Sequence, residues 1–368
     1  MAEKKKKTAQ PIEEKLAPLR EEINNIDEQI LEALARRAEY VLKVAEVKKN
    51  NRGAYYAPHR EKQIYARLSK MNKGKFPDEA VHAIFREIMS ASIAMEKPQK
   101  IAYLGPEASY THMASLHKFG SQMEFVAMDS IEAVFTEVGK GWADYGVVPI
   151  ENSTEGVISN TLDMFIDSEM KICSEIVMPI SHNLISLESD FKKIKKVYSR
   201  DSALAQCHQW LANNLPNAEL VAVSSTTRGV QMAKRSNKSA AISSELASSL
   251  YKVPIQARGI EDMTGNRTRF LVISLKESER SGDDKTSLLF SIKDKVGALY
   301  NALRPFYKLG INMTRIESRP SRRKAWDYVF FVDILGYKDD PKLAKALSEV
   351  SEHCAFLKVL GSYPISTE

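Results

Sequence analysis

The sequence predicts a multidomain chain with three successive architectures: an all-helical N-terminal segment, a central α/β domain and a C-terminal domain of βαββαβ order. Three observations predict this. Apolar residues recur at helical spacing through 16–50. From residue 101, short apolar runs alternate with helical stretches. After a polar, glycine-bearing stretch at 277–285, the remaining chain carries a ferredoxin-like order of strands and helices.

Leu19, Ile23, Ile26, Ile30, Leu34 and Val41 form the stripe of the first helix, spaced by three, four and seven. At 1.5 Å per residue this helix is roughly 50 Å long. That is too long to cover its stripe with one short neighbour, so helical partners from a second subunit are expected. Pro58 opens a second helix to about residue 72, and Pro77 a third to about residue 97, which Pro98 ends. In the α/β segment, strands are expected at 101–104, 123–127, 145–150, 176–180, 195–199, 220–223 and 240–242. Helices fit 130–140, 203–214, 227–234 and 244–250. The C-terminal order is strand 286–292, helix 296–308, strands 311–318 and 326–335, helix 341–352 and strand 355–361. The expected domains are thus a basic disordered tail (1–11), a helical domain (12–98), an α/β domain (100–276), a linker (277–285) and a small domain (286–368).

Composition narrows the function classes. Of 368 residues, 43% are hydrophobic and 27% charged, which supports packed cores rather than disorder. No apolar run approaches membrane-spanning length, and no secretory signal follows the lysine-rich start. Cys173, Cys207 and Cys354 are scattered and the seven histidines lack ligand spacing, so neither a disulfide framework nor a metal is expected. A net charge of +6 without a clustered patch gives no case for nucleic acid, while it suits small anionic substrates. A cytoplasmic protein without cofactor is the expectation.

Arg37 and Lys48 share a face of the first helix, and Ser92 and Glu96 stand at i and i+4 on the third. Each alone reads as a solvated helix face. Together, Leu19-Arg20-x-x-Ile23-x-x-Ile26-Asp27, Arg36-Arg37, Lys48, Arg60-Glu61 and Ser92-x-x-x-Glu96 resemble the all-helical chorismate mutase family. The resemblance implies an intertwined dimer in which Arg20 reaches the partner's site and Arg37 grips a substrate carboxylate. Lys48 and Glu96 would address the ether oxygen, Glu61 the ring hydroxyl, with Arg60 and Ser92 in support. Such a rearrangement is unimolecular, so the site needs only to hold a dianion compactly and stabilise charge at the ether oxygen. A glutamate there donates only when protonated, which favours activity at lower pH. Some members have an aspartate where this chain has Ala57.

Gly105-Pro106-Glu107-Ala108-Ser109-Tyr110-Thr111, Pro149-Ile150-Glu151-Asn152-Ser153, His182-Asn183-Leu184, Ser224-Ser225-Thr226 and Thr268-Arg269-Phe270 follow in order. As bare strings they are polar loops and a strand entry. In this order they resemble prephenate dehydratase across roughly 101–275. That implies a two-lobed fold like periplasmic binding proteins, with substrate in the cleft between lobes. Thr268 would be the essential hydroxyl; Asn152, Ser153, His182, Ser225 and Arg269 would bind substrate. The chain departs from the family at Ala108, often glycine, and at Ser199-Arg200-Asp201, where Ser-His-Pro is common.

Gly297-Ala298-Leu299-Tyr300 at a helix start and Glu317-Ser318-Arg319-Pro320 after a strand resemble the ACT-type regulatory domain, which implies a phenylalanine site at a domain interface. The three resemblances imply a bifunctional enzyme of phenylalanine biosynthesis. It would rearrange chorismate to prephenate, convert prephenate to phenylpyruvate, and be inhibited by L-phenylalanine as a homodimer or higher homo-oligomer. The rivals are a dehydratase whose helices only dimerise, and a non-catalytic amino-acid-binding regulator.

Overall fold

The structure, a computed structural model, describes residues 12–51, 55–74, 76–293, 295–321 and 328–366. The expected tail at 1–11 lies outside the described residues. The chain divides into two compact units, Met1–Tyr55 with Ser92–Lys97, and Tyr56–Ala91 with Pro98–Glu368.

The first unit is dominated by helix α1 (Ile12–Asn51). Pro18 sits in its second turn, and glutamates at the N-terminal end and lysines at the C-terminal end complement the helix dipole. Its stripe is bare along the N-terminal half: Leu19, Ile23, Ile26 and Ile30 are 48–61% exposed. The unit also contains the last turn of α3 (Asp78–Glu96).

In the second unit, α2 (Pro58–Met71) and most of α3 pack on the following domains rather than standing apart. Lys62 on α2 pairs with Asp283 at 2.7 Å. Glu87 on α3 accepts the Ser121 N–H and hydroxyl at 2.9 and 2.7 Å.

The α/β domain begins with β1 (Lys100–Leu104), α4 (Tyr110–Phe119), β2 (Glu124–Met128), α5 (Ile131–Gly139), β3 (Tyr145–Asn152), the short β4 (Gly156–Val157) and α6 (Ser159–Asp167). Strand β5 (Lys171–Pro179) carries the chain to a second lobe. That lobe holds β6 (Asn183–Ser186), β7 (Lys196–Ser199), α7 (Asp201–Gln206), α8 (His208–Asn214), β8 (Glu219–Ala222), α9 (Thr226–Ala233), β9 (Ser239–Ser243), α10 (Glu245–Tyr251) and β10 (Ile255–Ala257). The chain then returns as β11 (Arg267–Ser274). The first sheet runs β2-β1-β3-β11-β5, the second β10-β6-β9-β7-β8. Two crossings between two mixed sheets give the two-lobed architecture. The helix expected over 203–214 breaks at Cys207, which leaves helical φ/ψ between α7 and α8. The short strands β6 and β10 lie in runs too brief to be told from turns by periodicity.

The C-terminal domain is β12 (Asp284–Ile292), α11 (Ala298–Lys308), β13 (Met313–Pro320), β14 (Tyr328–Leu335), α12 (Pro341–His353) and β15 (Cys354–Pro364). Its antiparallel sheet has the order β13-β14-β12-β15. Its inner strands β12 and β14 are buried on both faces. Leu288, Phe290, Phe330 and Val332 pack with Ala302, Phe306, Leu343 and Val350 on the helices. Leu289, Val329, Phe331, Leu360 and Tyr363 instead join one core with Val148, Ile150, Phe165, Ile172 and Leu271 of the α/β domain. The segment at 277–285 is correspondingly built in: Ser281 and Gly282 donate their N–H groups to Asp284, itself buried.

Strand β15 crosses β5 so closely that a Cβ on Gly361 would lie 2.1 Å from the Ile172 carbonyl oxygen. Neither backbone can retreat without parting the sheets. Gly361→Ala is therefore expected to destabilise the fold by about 3 kcal/mol or more, against under about 1 kcal/mol for Gly139→Ala, whose Cβ would meet ordinary space. Denaturant unfolding of both variants checks this.

Candidate functional site

Two groups of predicted residues gather in space. In the first unit, Arg37 on α1 donates to the Ser92 hydroxyl on α3, and Lys48 donates to Glu96 at 2.7 Å and to the Tyr55 carbonyl at 3.2 Å. The Glu96 side chain is 8% exposed and pairs with Lys48. Burial pulls the Arg37 guanidinium below its ordinary range, and Glu96 partly offsets that. Arg20 lies 17 residues before Arg37, about 25 Å along the helix. It is exposed and pairs with Glu13 on its own helix.

The remaining members of this predicted set lie in the second unit. Arg60 is exposed and donates to Gln63. Glu61 accepts the Tyr56 hydroxyl at 3.0 Å and pairs with Lys118 of α4 at 2.9 Å. Tyr56 itself is packed against Phe119 and Tyr145.

The second group surrounds the cleft between the lobes, whose volume is about 680 Å3. Thr268, Asn152, His182 and Ser225 line it. Thr268 and Asn152 stand opposite each other on β11 and β3. Between Arg269 and Phe270 the pairing slips by one residue of β3, beside Pro149, which has no N–H to give the ladder.

Hydrogen-bond polarity around Thr268 is fixed from the backbone outward. The N–H groups of Thr154 and Glu155 donate to Asn152 Oδ1, both at 2.9 Å. That turns Asn152 Nδ2 toward Thr268 Oγ1 and Asn266 Oδ1, both at 2.8 Å. Asn266 Nδ2 then donates to Gln206 Oε1 at 2.9 Å, and Gln206 Nε2 to the Glu155 carboxylate at 2.9 Å. Because Thr268 accepts from Asn152, its own proton is left to point elsewhere.

His182 is 3% exposed, with Nε2 2.9 Å from Gln206 Oε1 and Nδ1 2.9 Å from the Tyr110 hydroxyl. The Tyr110 oxygen also lies 2.8 Å from the Ser181 carbonyl. Burial lowers the His182 pKa, more than the Gln206 hydrogen bond and nearby carboxylates raise it. Its two nitrogens serve protein groups, so His182 acts on the cleft through Tyr110 and Gln206 rather than as a free ligand contact.

Two expected substrate contacts are corrected. Strand alternation turns Arg269 to the face opposite Thr268, where it pairs with Glu175 at 2.8 Å and Asp333 at 2.6 Å. Ser153 is off the cleft wall and uses its hydroxyl to accept the Arg267 N–H. Ser225 caps α9 by accepting the Arg228 N–H. The reading also missed cleft residues: Tyr110, Glu155, Gln206 and Asn266, with Arg200 and Arg228 as cations on the wall. Asn266 was findable two residues before Thr268; Gln206 had only an apolar helical context. Ala108 adopts φ 61, a conformation glycine takes without a Cβ penalty, which accounts for glycine being common at that position.

In the C-terminal domain, Gly297 takes φ 75 to cap α11. Ala298 is buried, Leu299 packs on the domain core and Tyr300 is 68% exposed. Glu317, Ser318, Arg319 and Pro320 end β13, the edge strand, and Arg319 reaches Asp163 at 3.4 Å. Among the described residues, no cluster of three His, Cys, Asp or Glu could hold a metal ion, and no helix is long and apolar enough to cross a membrane.

Family models described as chorismate mutase type II, prephenate dehydratase and ACT domain match residues 19–97, 101–278 and 286–352. The chain is 48% identical over 355 residues to the bifunctional chorismate mutase/prephenate dehydratase of Aquifex aeolicus, covering 95% of this chain and 98% of that one. It is 42% identical to that of Pseudomonas aeruginosa, covering 96% and 98%. Among solved structures, a prephenate dehydratase from Arthrobacter aurescens in complex with L-Phe matches with a TM-score of 0.68 at 30% identity, covering 72% of this chain and 90% of that one.

The buried histidines set a pH dependence. Burial lowers the pKa of His112 and His182 in the folded chain. The unfolded chain then binds more protons below about pH 6.5, so stability is fully present above that pH and is lost on acidification. Stability measured by denaturant titration should fall between about pH 7 and pH 5, and His182→Gln should reduce the slope.

Proposed function

The chain belongs to the bifunctional chorismate mutase/prephenate dehydratase family, and from that premise we propose how its residues divide the work. The enzyme rearranges chorismate to prephenate, an isomerase step, and then converts prephenate to phenylpyruvate, a carbon–oxygen lyase step, under an ACT regulatory domain.

For the mutase we assign Arg37 to a substrate carboxylate, held by Ser92, and Lys48 with Glu96 to the ether oxygen. What supports this is that both pairs are pre-assembled in the first unit, with the Lys48 ammonium already fixed at 2.7 Å from Glu96. Charge that develops on the ether oxygen meets a cation oriented before the reaction. Arg60 and Glu61 are assigned supporting contacts to the ring end. A homodimer completes the unit: a second copy covers Leu19, Ile23, Ile26 and Ile30, and Arg20 serves the partner's site. Its distance of about 25 Å from Arg37 along one helix supports that exchange.

For the dehydratase, the carboxylate leaves as carbon dioxide, its bonding pair enters the ring, and the ring hydroxyl departs with a proton as water. Thr268 donates a hydrogen bond to the departing oxygen. The observation that carries this is the polarity at Asn152, which makes Thr268 an acceptor on one side and so a donor on the other. Arg200 and Arg228 on the cleft wall suit a dianionic substrate, with Ser225 at the start of α9. We assign Gly297, Ala298, Leu299, Tyr300, Glu317, Ser318, Arg319 and Pro320 to an L-phenylalanine site on the ACT domain, through which the product of the pathway inhibits the dehydratase. The relative bound to L-Phe supports this reading. Free, buried Cys173, Cys207 and Cys354 fit a reducing, cytoplasmic setting.

Separable activities test the division. Lys48→Ala should lower mutase turnover about 100- to 1000-fold and spare dehydration of supplied prephenate. Thr268→Val should lower dehydratase kcat about 100-fold or more and spare the mutase. Assays with chorismate and with prephenate, run separately on each variant, decide both; unaltered turnover rejects the residue concerned.

Exchange across subunits has its own test. Arg20→Ala and Lys48→Ala should each be nearly inactive as mutases, whereas mixed dimers should regain activity from the one site that keeps both residues. Lack of recovery in verified mixed dimers rejects sharing.

A further inference from the structure

The rung of the β3–β11 ladder facing the cleft is Asn152 opposite Thr268, and the next rung is Glu151 opposite Arg269. Alternation presents this second rung to the C-terminal sheet. There Arg315 of β13 and Asp333 of β14 also stand opposite each other. Two ion pairs join the rungs: Arg315 to Glu151 at 3.2 Å and Arg269 to Asp333 at 2.6 Å. The four residues make a closed frame, with one hydrogen-bonded pair of strands from each domain as its sides.

The Arg269–Asp333 side of the frame is densely bonded, whereas Arg315 Nη2 is buried without a hydrogen-bond partner among the described residues. Arg269 also donates to Glu175 at 2.8 Å and to the Tyr363 hydroxyl at 3.0 Å. Lys285 holds both Glu175 oxygens at 3.0 Å, and Ser287 bridges Asp333 and Tyr363. Burial pushes the Asp333 carboxyl up, but Arg269, Ser287 and Arg315 outweigh it and hold it below its ordinary range. An apolar interface would serve stability as well as buried ion pairs do. What charged pairs add is a fixed position, and here they fix the residues adjacent to Thr268 and Asn152.

We propose that Arg269 is a positioning residue of the dehydratase: through the frame with Glu151, Arg315 and Asp333, the C-terminal domain holds Thr268 and Asn152 in catalytic register. The frame also connects the assigned phenylalanine site to the cleft, since β13 runs directly from Arg315 to Glu317 and Pro320. The proposal rests on the reading of Thr268 as donor.

The test uses the full chain. Asp333→Asn removes one charge at nearly constant shape. Tyr363→Phe removes a hydroxyl and no charge, and keeps the question open to measurement if Asp333→Asn does not fold. Dehydratase kcat and KM, mutase turnover, melting temperature, phenylalanine binding and phenylalanine inhibition are measured for each. The expected result is a kcat lower by about tenfold or more in Asp333→Asn and severalfold in Tyr363→Phe, with KM within about twofold. Arg269→Lys should recover part of the kcat that Arg269→Met loses, and phenylalanine should bind as in wild type yet inhibit less. Folded variants with wild-type kcat and inhibition overturn the proposal. So does a change confined to KM, or a lower melting temperature with kcat per folded enzyme unaltered. Thr268→Val assayed alongside separates the premises: full turnover there rejects the donor reading itself. A wild-type enzyme indifferent to phenylalanine rejects the sensor assignment alone, while kcat still decides the frame.

Discussion

Strand β11 is the constraint on which the molecule turns. It lies between β3 and β5 and is antiparallel to both, so its backbone donors and acceptors are taken up on two sides. Its side chains must therefore divide between two faces. Thr268 and Phe270 go to the cleft, whereas Arg269 and Leu271 go to the C-terminal domain. A rotation that moved Thr268 would drag Arg269 through a buried cluster of charges. Chemistry and domain packing are thus two sides of one strand.

The coarse architecture was legible because each segment's pattern has one physical reading. Helical spacing in α1 and strand–helix alternation after residue 101 leave few alternatives. Motif strings gave the cleft, and they named Asn152 and Thr268, which stand opposite each other. They also gave Arg269 as a ligand, because a string has no faces; only the pairing of β11 with its neighbours assigns a residue to one side. The signal for the opposite role was nonetheless present. Glu175 and Asp333 are charges set among apolar strand residues, and a buried charge is paired or it is not tolerated, which calls for a cation such as Arg269. Likewise, Leu288-Leu289-Phe290 and Val329-Phe330-Phe331-Val332 are unbroken apolar runs, which an antiparallel sheet carries when both its faces are covered. The polar stretch at 277–285 reads as a boundary, yet Ser281 and Gly282 form tight turns around Asp284, and Glu277, Arg280 and Lys285 pair with the domains on either side.

The two chemistries ask different things of the protein. A unimolecular rearrangement needs shape and fixed charge, and long helices supply both by lining up Arg37 and Lys48 on one face. The cost is an apolar stripe that one chain leaves open, which is what supports the proposed second copy. Loss of carboxylate and hydroxyl instead needs a donor aimed at one oxygen. In the proposed reading, a cleft between lobes provides it through amides whose polarity propagates from two backbone N–H groups to the Thr268 hydroxyl.

Regulation follows from how the third domain is attached. A sensor on a flexible tether can alter local concentration but cannot strain a distant bond. Here the sheet that carries the assigned ligand residues shares a core with the α/β domain through Leu289, Phe331 and Leu360, and Gly361 brings β15 into backbone contact with β5. A packed core of this kind has discrete arrangements rather than continuous compliance. A ligand that prefers one arrangement shifts the population only by its differential affinity. The amplification therefore has to come from geometry, from a small displacement of β13 and β14 acting on a hydroxyl that works only when aimed. Ionic contacts at 2.6 to 3.2 Å between those strands and Arg269 and Glu151, the neighbours of Thr268 and Asn152, give such a displacement a route.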